Sequence, residues 1–171
     1  GSSMGANISG RWWKVYRGEP LRPLTAAGAD WTPTKEGWDF AGFYESGTGS
    51  TCYYAREGTS THIVSKDTPT ALYAKWVKEI ELDKNGGSGG DDSLALTYGE
   101  ALSTDAGFID PPTGPTDSPA EAIWDFGGYS IASAGGGSSG ETLYVRADGS
   151  WALDEPMTSA NMPPDTLYAV W

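Results

Sequence analysis

Apolar and polar residues alternate in short runs along this chain, and turn-forming residues separate the runs. That pattern predicts strands, not helices. Residues 11–17 read as a strand, with Trp13 and Val15 on one face and Trp12 and Lys14 on the other. Gly18-Glu19-Pro20-Leu21 ends it, and the loop through Trp31-Thr32-Pro33 has room only for a short helix. Residues 38–44 form the next strand, where strict alternation puts Trp38, Phe40 and Tyr44 on one side. Ser46 to Ser50 turns the chain, residues 51–55 form another strand, Glu57-Gly58 a tight turn, and Thr61 to Val64 a short extended piece. A strand is expected at 70–76. Glu79-Ile80-Glu81-Leu82-Asp83 then alternates cleanly, with Ile80 and Leu82 inward. Asn85 to Gly90 reads as a hairpin turn, because Asn and Gly tolerate positive φ, and residues 94–98 return antiparallel.

The pattern occurs twice. Trp38-Asp39-Phe40-Ala41-Gly42-Phe43-Tyr44 returns as Trp124-Asp125-Phe126-Gly127-Gly128-Tyr129-Ser130. Leu72-Tyr73-Ala74-Lys75-Trp76 returns as Leu167-Tyr168-Ala169-Val170-Trp171, and Gly18-Glu19 as Gly99-Glu100. The spacing between copies grows along the chain, from Gly18/Gly99 through Trp38/Trp124 and Tyr54/Tyr144 to Trp76/Trp171. The added residues fall in the Pro-rich 103–123 stretch, in 134–140 and in 150–165, all loop-like, where insertions spare packed strands. A repeat this long is a domain. The expected division is a first unit at 11–76 and a second, complete unit at 77–171. Residues 1–10 are small and polar, expected to be poorly ordered, and Gly1-Ser2-Ser3-Met4 reads as a tag remnant. The counterpart of the Ile80 strand falls before the first residue. The first unit is therefore expected to lack its opening strand, unless residues 4–10 stand in for it, and to offer an edge for self-association. Only Val77 and Lys78 separate the units, which predicts a semi-rigid pair.

Composition narrows the function. The net charge is −12 and the pI about 4.3, which repels nucleic-acid phosphates and anionic membranes. No apolar run approaches the ~20 residues of a membrane helix. There is one cysteine, Cys52, so no internal disulfide and no paired-cysteine metal clip. The Trp and Tyr residues are bulky enough to fill small β cores.

The phrases Leu82-Asp83-Lys84-Asn85-Gly86-Gly87, Tyr98-Gly99-Glu100, Pro111-Pro112, Trp124 to Tyr129 and Leu167 to Trp171, in that order, resemble the internalin-type B repeat, also called the Listeria–Bacteroides repeat. The second unit matches along its length and the first from about Tyr16 to Trp76. The resemblance implies a mostly β (α+β) architecture: two tandem β-grasp-like small domains with curved, largely antiparallel sheets and at most a short helix. It implies a fragment of a larger bacterial cell-surface or secreted protein, acting as stalk, adhesion or protein-interaction unit. The implied partner is a surface protein or glycan of a host or neighbouring cell. It brings no catalytic residue and no cofactor.

The residues themselves offer little chemistry. His62 is the only histidine, so any Ser-His-Asp arrangement would need it, and no nucleophile elbow accompanies it. It reads as an ordinary exposed histidine, and Cys52 as a half-buried strand residue. Glu79, Glu81 and Asp83 share a strand face, where paired carboxylates could cleave glycosides, yet any half-solvated strand looks the same. Gly86 to Asp91 matches the start of a calcium-binding nonapeptide, but one copy cannot build that stacked site. The chain is read as non-enzymatic and metal-free. Carbohydrate binding is the rival, because exposed Trp and Tyr stack on sugar rings. Trp12, Trp13, Trp31 and Trp151 lie outside the shared phrases and are the candidate ligand contacts. Trp38, Phe40, Gly42, Tyr73, Trp76 and their counterparts Trp124, Phe126, Gly128, Tyr168, Trp171 are expected to form the core.

Overall fold

The computed structural model describes residues 3–8, 11–27, 31–105, 108–116, 124–131 and 142–171. The chain is mostly β. In order it forms β1 (Ser3–Ile8), β2 (Arg11–Tyr16), a 3-10 turn (Leu24–Ala27), β3 (Asp39–Tyr44), β4 (Cys52–Ala55), β5 (Tyr73–Asp83), β6 (Ser93–Thr97), one helical turn α1 (Leu102–Asp105), β7 (Gly128–Ser130), β8 (Leu143–Arg146) and β9 (Thr166–Val170). It divides into two compact units, Gly1–Val77 and Lys78–Trp171. The boundary lies inside β5. Val77 and Lys78 are strand residues, not a linker, because the chain pairs with neighbours on both sides of them.

In unit 1 the order is β4-β3-β5, all antiparallel, with Tyr73–Val77 of β5 against β3. A separate pair joins β1 to β2, from Ser3↔Tyr16 to Ile8↔Arg11. Residues 3–8 are therefore a strand and not the poorly ordered start expected for 1–10. In unit 2 the order is β6-β5-β9-β7-β8. Here β5 and β9, the first and last strands, run parallel at the centre, and β7 pairs antiparallel with β8 and β9. The unit 2 sheet is therefore mixed.

Local sequence explains these elements. Ile80, Leu82, Leu94 and Leu96 are buried while Glu79, Glu81, Asp83, Ser93 and Ala95 face outward, so alternation holds on β5 and β6. Burying each such aliphatic side chain stabilises by about 1.5–3 kcal/mol. Asn85 (φ 49) and Gly86 (φ 88) turn the chain after β5.

Alternation fails on β3. Its pairing with β5 steps from Phe40↔Trp76 to Gly42↔Lys75, so Ala41 is the extra residue of a bulge. The bulge returns Phe43, not Tyr44, to the face of Phe40, and their rings meet edge-on at 5.1 Å. Phe40 also meets Trp76 at 5.7 Å. Unit 2 repeats this: Phe126 meets Tyr129 at 5.2 Å and Trp171 at 5.9 Å. The backbone repeats as well. Gly18 N–H donates to Val64 O (2.8 Å) as Gly99 N–H does to Met157 O (2.7 Å), and Gly58 N–H to Ala55 O (2.8 Å) as Gly149 N–H does to Arg146 O (2.9 Å). The register corrects one apparent match. Phe43 pairs with Tyr54 and Tyr129 with Val145, so Tyr144 answers Tyr53, not Tyr54.

Two expected core residues are not buried. Tyr73 is 54% exposed, because it pairs with Tyr44 on the face opposite Phe43. Trp124 is 43% exposed. In unit 1, Trp38 N–H closes a turn on Lys35 O (3.1 Å) and the side chain is buried, whereas the residues leading to Trp124 lie outside the described ones. Phe40 and Trp76 are buried, and Phe126, Tyr168 and Trp171 half-buried.

Tyr54 and Tyr129 are buried, and among the described residues their hydroxyls have no hydrogen-bond partner. Burial pushes both phenols up to about 12, and for Tyr129 the carboxylates of Asp91, Asp83 and Asp92 add to it. The raised folded values favour the neutral phenol. This contribution is full below pH ~10 and is lost as pH rises towards 12, where the unfolded chain ionises first, on the order of 2 kcal/mol per tyrosine. Alkaline titration by tyrosinate absorbance is expected to show two of the nine tyrosines ionising last, together with loss of structure. Tyr129→Phe, which copies Phe43 of unit 1, is expected to raise stability at neutral pH by about 1 kcal/mol and soften the alkaline transition. If all tyrosines titrate together near pH 10 with the fold intact, the two phenols are not buried as described.

Candidate functional site

The tight turn after β8 builds a concavity in unit 2. Ser150 N–H donates to Asp148 Oδ1 (2.9 Å), and Ser150 holds the Asp148 carboxyl below its ordinary range through its hydroxyl and N–H. Gly149 adopts φ 78, and Ile109 N–H donates to its carbonyl (3.1 Å), which fixes the neighbouring loop. Trp151 then folds back against Val145, with its carbonyl held by the Arg146 guanidinium. A cavity of about 200 Å³ results, lined by Ser103, Phe108, Ser150, Trp151 and Asp154. Phe108 is 76% exposed and Trp151 only 6%. Asp154 Oδ1 accepts from Ser103 N–H (3.3 Å), which anchors its carboxylate at the rim. Apolar rings beside a carboxylate and two hydroxyls can seat one small polyhydroxylated ring.

The sequence candidates divide. Trp151 lines this cavity but is no exposed platform. Trp31 is half-buried against the unit 1 core, 6.3 Å from Phe40, and its ring covers Gly58. That turn's counterpart at Gly149 is covered by Ile109 backbone instead, so Trp31 fills space that unit 2 fills with its chain. Trp12 and Trp13 pair with Asn7 and Ala6 on β2, and their side chains lie outside the described residues. Phe108, Ser103, Ser150 and Asp154 were not foreseen. The one signal was an aromatic residue inside a loop that unit 1 lacks.

The catalytic candidates are occupied by structure. His62 is half-buried, not exposed: its ring lies 4.4 Å from that of Tyr53, and Nε2 is 3.1 Å from Thr68 Oγ1. Cys52 is exposed, not half-buried, on the strand opposite Tyr44. Glu79 accepts from Ser93 Oγ (2.7 Å), Glu81 from Thr166 Oγ1 (3.4 Å) and Asp83 from Asn85 N–H (2.8 Å), and none of the three lines the cavity. Around the glycine turn, Asp91 accepts from Asp110 N–H (2.8 Å) and Asp92 pairs with Lys84. Among the described residues no cluster of His, Cys, Asp or Glu is arranged to hold a metal ion.

Comparison with models of protein families, with curated proteins and with solved structures finds no match for this chain.

Asn85 Nδ2 donates to Ala169 O (3.0 Å), and the Trp171 indole donates to the carbonyls of Lys84 (3.2 Å) and Asn85 (3.1 Å). The Asn85 turn and the closing phrase of unit 2 hold each other.

Proposed function

We propose that this chain is a pair of internalin-B-type repeats from a bacterial surface or secreted protein, serving as a stalk, adhesion or protein-interaction module without catalysis. One observation carries the reading. The same aromatic trio, the same positive-φ glycine and the same turn bonds are built twice on diverged sequence, so the repeated residues serve a scaffold and not a reacting centre. Its surroundings are extracellular, and its partners are proteins or glycans on a host or neighbouring cell. A binding screen against host matrix proteins, a glycan panel and generic hydrolase substrates tests this. Turnover of any substrate, abolished by a point change at His62 or Cys52, would overturn it.

A carbohydrate-binding function is the second reading, favoured by the Phe108–Trp151 cavity. Phe108 is its sharpest probe because it is largely exposed. Phe108→Ala is expected to change stability by no more than about 0.5 kcal/mol. If the cavity seats a sugar, the same change weakens glycan binding at least tenfold. Glycan binding that is indifferent to it places the sugar elsewhere.

A further inference from the structure

Charge is divided unevenly between the two units. Unit 1 has seven Asp and Glu residues against eight Lys and Arg, and unit 2 has sixteen against three, a net of −13. The three basic residues of unit 2 are Lys78, Lys84 and Arg146, and it has no histidine. Lys78 pairs with Asp165 and Lys84 with Asp92. The Arg146 guanidinium donates to Trp151 O, to Ala152 O (3.2 Å) and to Ser150 Oγ (3.3 Å), and its charge acts on Asp148. No cation of unit 2 is therefore left to match Asp154, whose carboxylate stands at the rim of the Phe108–Trp151 cavity.

Hydrogen bonding makes the cavity one-sided as well. Ser103 N–H donates to Asp154 Oδ1 (3.3 Å), Ser150 N–H to Asp148 Oδ1 (2.9 Å) and Ala152 N–H to Tyr144 O (2.9 Å). The Ser150 hydroxyl donates to the Asp148 carboxylate. These donors are engaged, whereas the Asp154 carboxylate and the Ser103 and Ser150 hydroxyl oxygens line the cavity and keep acceptor capacity. A sugar hydroxyl needs donors and acceptors alike, but an ammonium has three N–H donors and accepts nothing. The walls suit a group that carries one. Phe108 is 76% exposed, and its loop is pinned directly after it, where Ile109 N–H donates to Gly149 O (3.1 Å) and Asp110 N–H to Asp91 Oδ2 (2.8 Å). A lysine lays its four-carbon stem along such a ring and keeps its charge at the polar end. Aromatic faces and a carboxylate both attract that charge.

The geometry points to a lysine-binding site: the cavity of unit 2 takes the side chain of a lysine presented by a partner protein, with its ammonium on Asp154, Ser103 and Ser150 and its stem against Phe108 and Trp151. The charge of the whole unit acts in the same direction, since a net of −13 draws in basic protein surfaces and orients them. The inference rests on the interaction-module reading and specifies what the module grips.

The test uses the whole chain, labelled with 15N, and follows the Ser103 amide and the Trp151 indole by NMR. The probe is lysine capped as its N-acetyl methylamide. Capped norleucine supplies the stem without the charge, and methyl glucoside and its 2-amino analogue supply the sugar ring. Saturable shifts are expected with capped lysine and none with capped norleucine. Asp154→Asn keeps an oxygen for Ser103 N–H and removes only the charge, and Phe108→Ala removes the exposed wall. Each is expected to weaken lysine binding at least tenfold. Glu79→Gln removes a charge of unit 2 away from the cavity and is expected to leave binding unchanged. No saturable shift, equal binding by norleucine, or equal weakening by Glu79→Gln would each overturn the proposal. Tighter binding by either glycoside would also overturn it and give the cavity to a glycan. Silence toward lysine beside a positive matrix-protein screen would remove the lysine anchor and leave the interaction-module reading standing.

Discussion

Replacing Gly128 with alanine will unfold unit 2 at a markedly lower urea concentration, and Gly42→Ala will do the same to unit 1. The two glycines adopt φ 128 and φ 141, which L side chains rarely take. A Cβ on Gly128 would lie inside 3.0 Å of Val145 O, and one on Gly42 inside 3.0 Å of Tyr54 O. Both obstacles are backbone of the neighbouring strand, which cannot rotate aside. The backbone strain costs roughly 1–3 kcal/mol, and forcing the strands apart costs about 1–3 kcal/mol more. Against a typical domain stability of about 5–15 kcal/mol, the sum is large. Gly47→Ala is the control, since nothing lies within 4 Å of a Cβ there, and it is expected to move the midpoint little. Urea unfolding followed by far-UV circular dichroism measures all three. Midpoints for Gly42→Ala and Gly128→Ala equal to that of Gly47→Ala would mean that neither position needs glycine.

Those glycines were legible because they recur inside a repeated phrase. Their reason was not. A bulge exists only relative to a partner strand, so reading residues 38–44 alone gave Tyr44 the place that Phe43 takes. The same blindness to pairing matched Tyr54 with Tyr144, one residue from the true register, and a one-residue slip exchanges the two faces of a strand. Val77 and Lys78 read as a joint because they alone lie between the closing phrase of one copy and the opening alternation of the next, yet both belong to β5, and Lys78 pairs with Asp165. The mixed order around β9 rests on a parallel contact between residues far apart in sequence, which no local pattern announces. The Ile80–Leu82 alternation and the Asn85 turn were local and came through intact. The cavity was the least legible feature. It is made where an inserted loop carrying Phe108 meets the segment after a tight turn, and neither segment belongs to the repeated pattern.

The repeated aromatic trio also explains why Trp31 and Trp151 differ from the shared tryptophans. Phe40–Trp76 and Phe126–Trp171 keep nearly the same distance and tilt across diverged copies, 5.7 Å at 61° and 5.9 Å at 65°. Edge-on pairs contribute about 0.5–1.5 kcal/mol beyond burial, so their geometry is held by energy common to both units. Trp31 and Trp151 have no such counterpart. Each fills space left by one unit's own loops, and Trp151 does so at the wall of a cavity.

Gly87→Ala is expected to destabilise unit 2 by about 3 kcal/mol, through contacts at a distance in sequence. Gly87 has an ordinary φ, so backbone strain plays no part and the cost is steric. A Cβ there would lie inside 3.0 Å of both the Trp171 ring and Thr113 O. Thr113 is fixed, because its carbonyl accepts from Ser88 N–H (2.9 Å) and its N–H donates to Ser88 O (2.7 Å). The indole must therefore give way. Moving it breaks the hydrogen bonds to Lys84 O and Asn85 O, each a net contribution of about 0.5–1.5 kcal/mol. It also opens the edge-on contact with Phe126. A double-mutant cycle separates these effects. In a Trp171→Ala background the ring is already gone, so Gly87→Ala is expected to cost about 1–3 kcal/mol less than in the intact chain. The remainder reports the clash with Thr113 O alone. Additive costs in the cycle would mean that Gly87 does not make room for Trp171, and the link between the Asn-Gly-Gly turn and the closing tryptophan would fail with it.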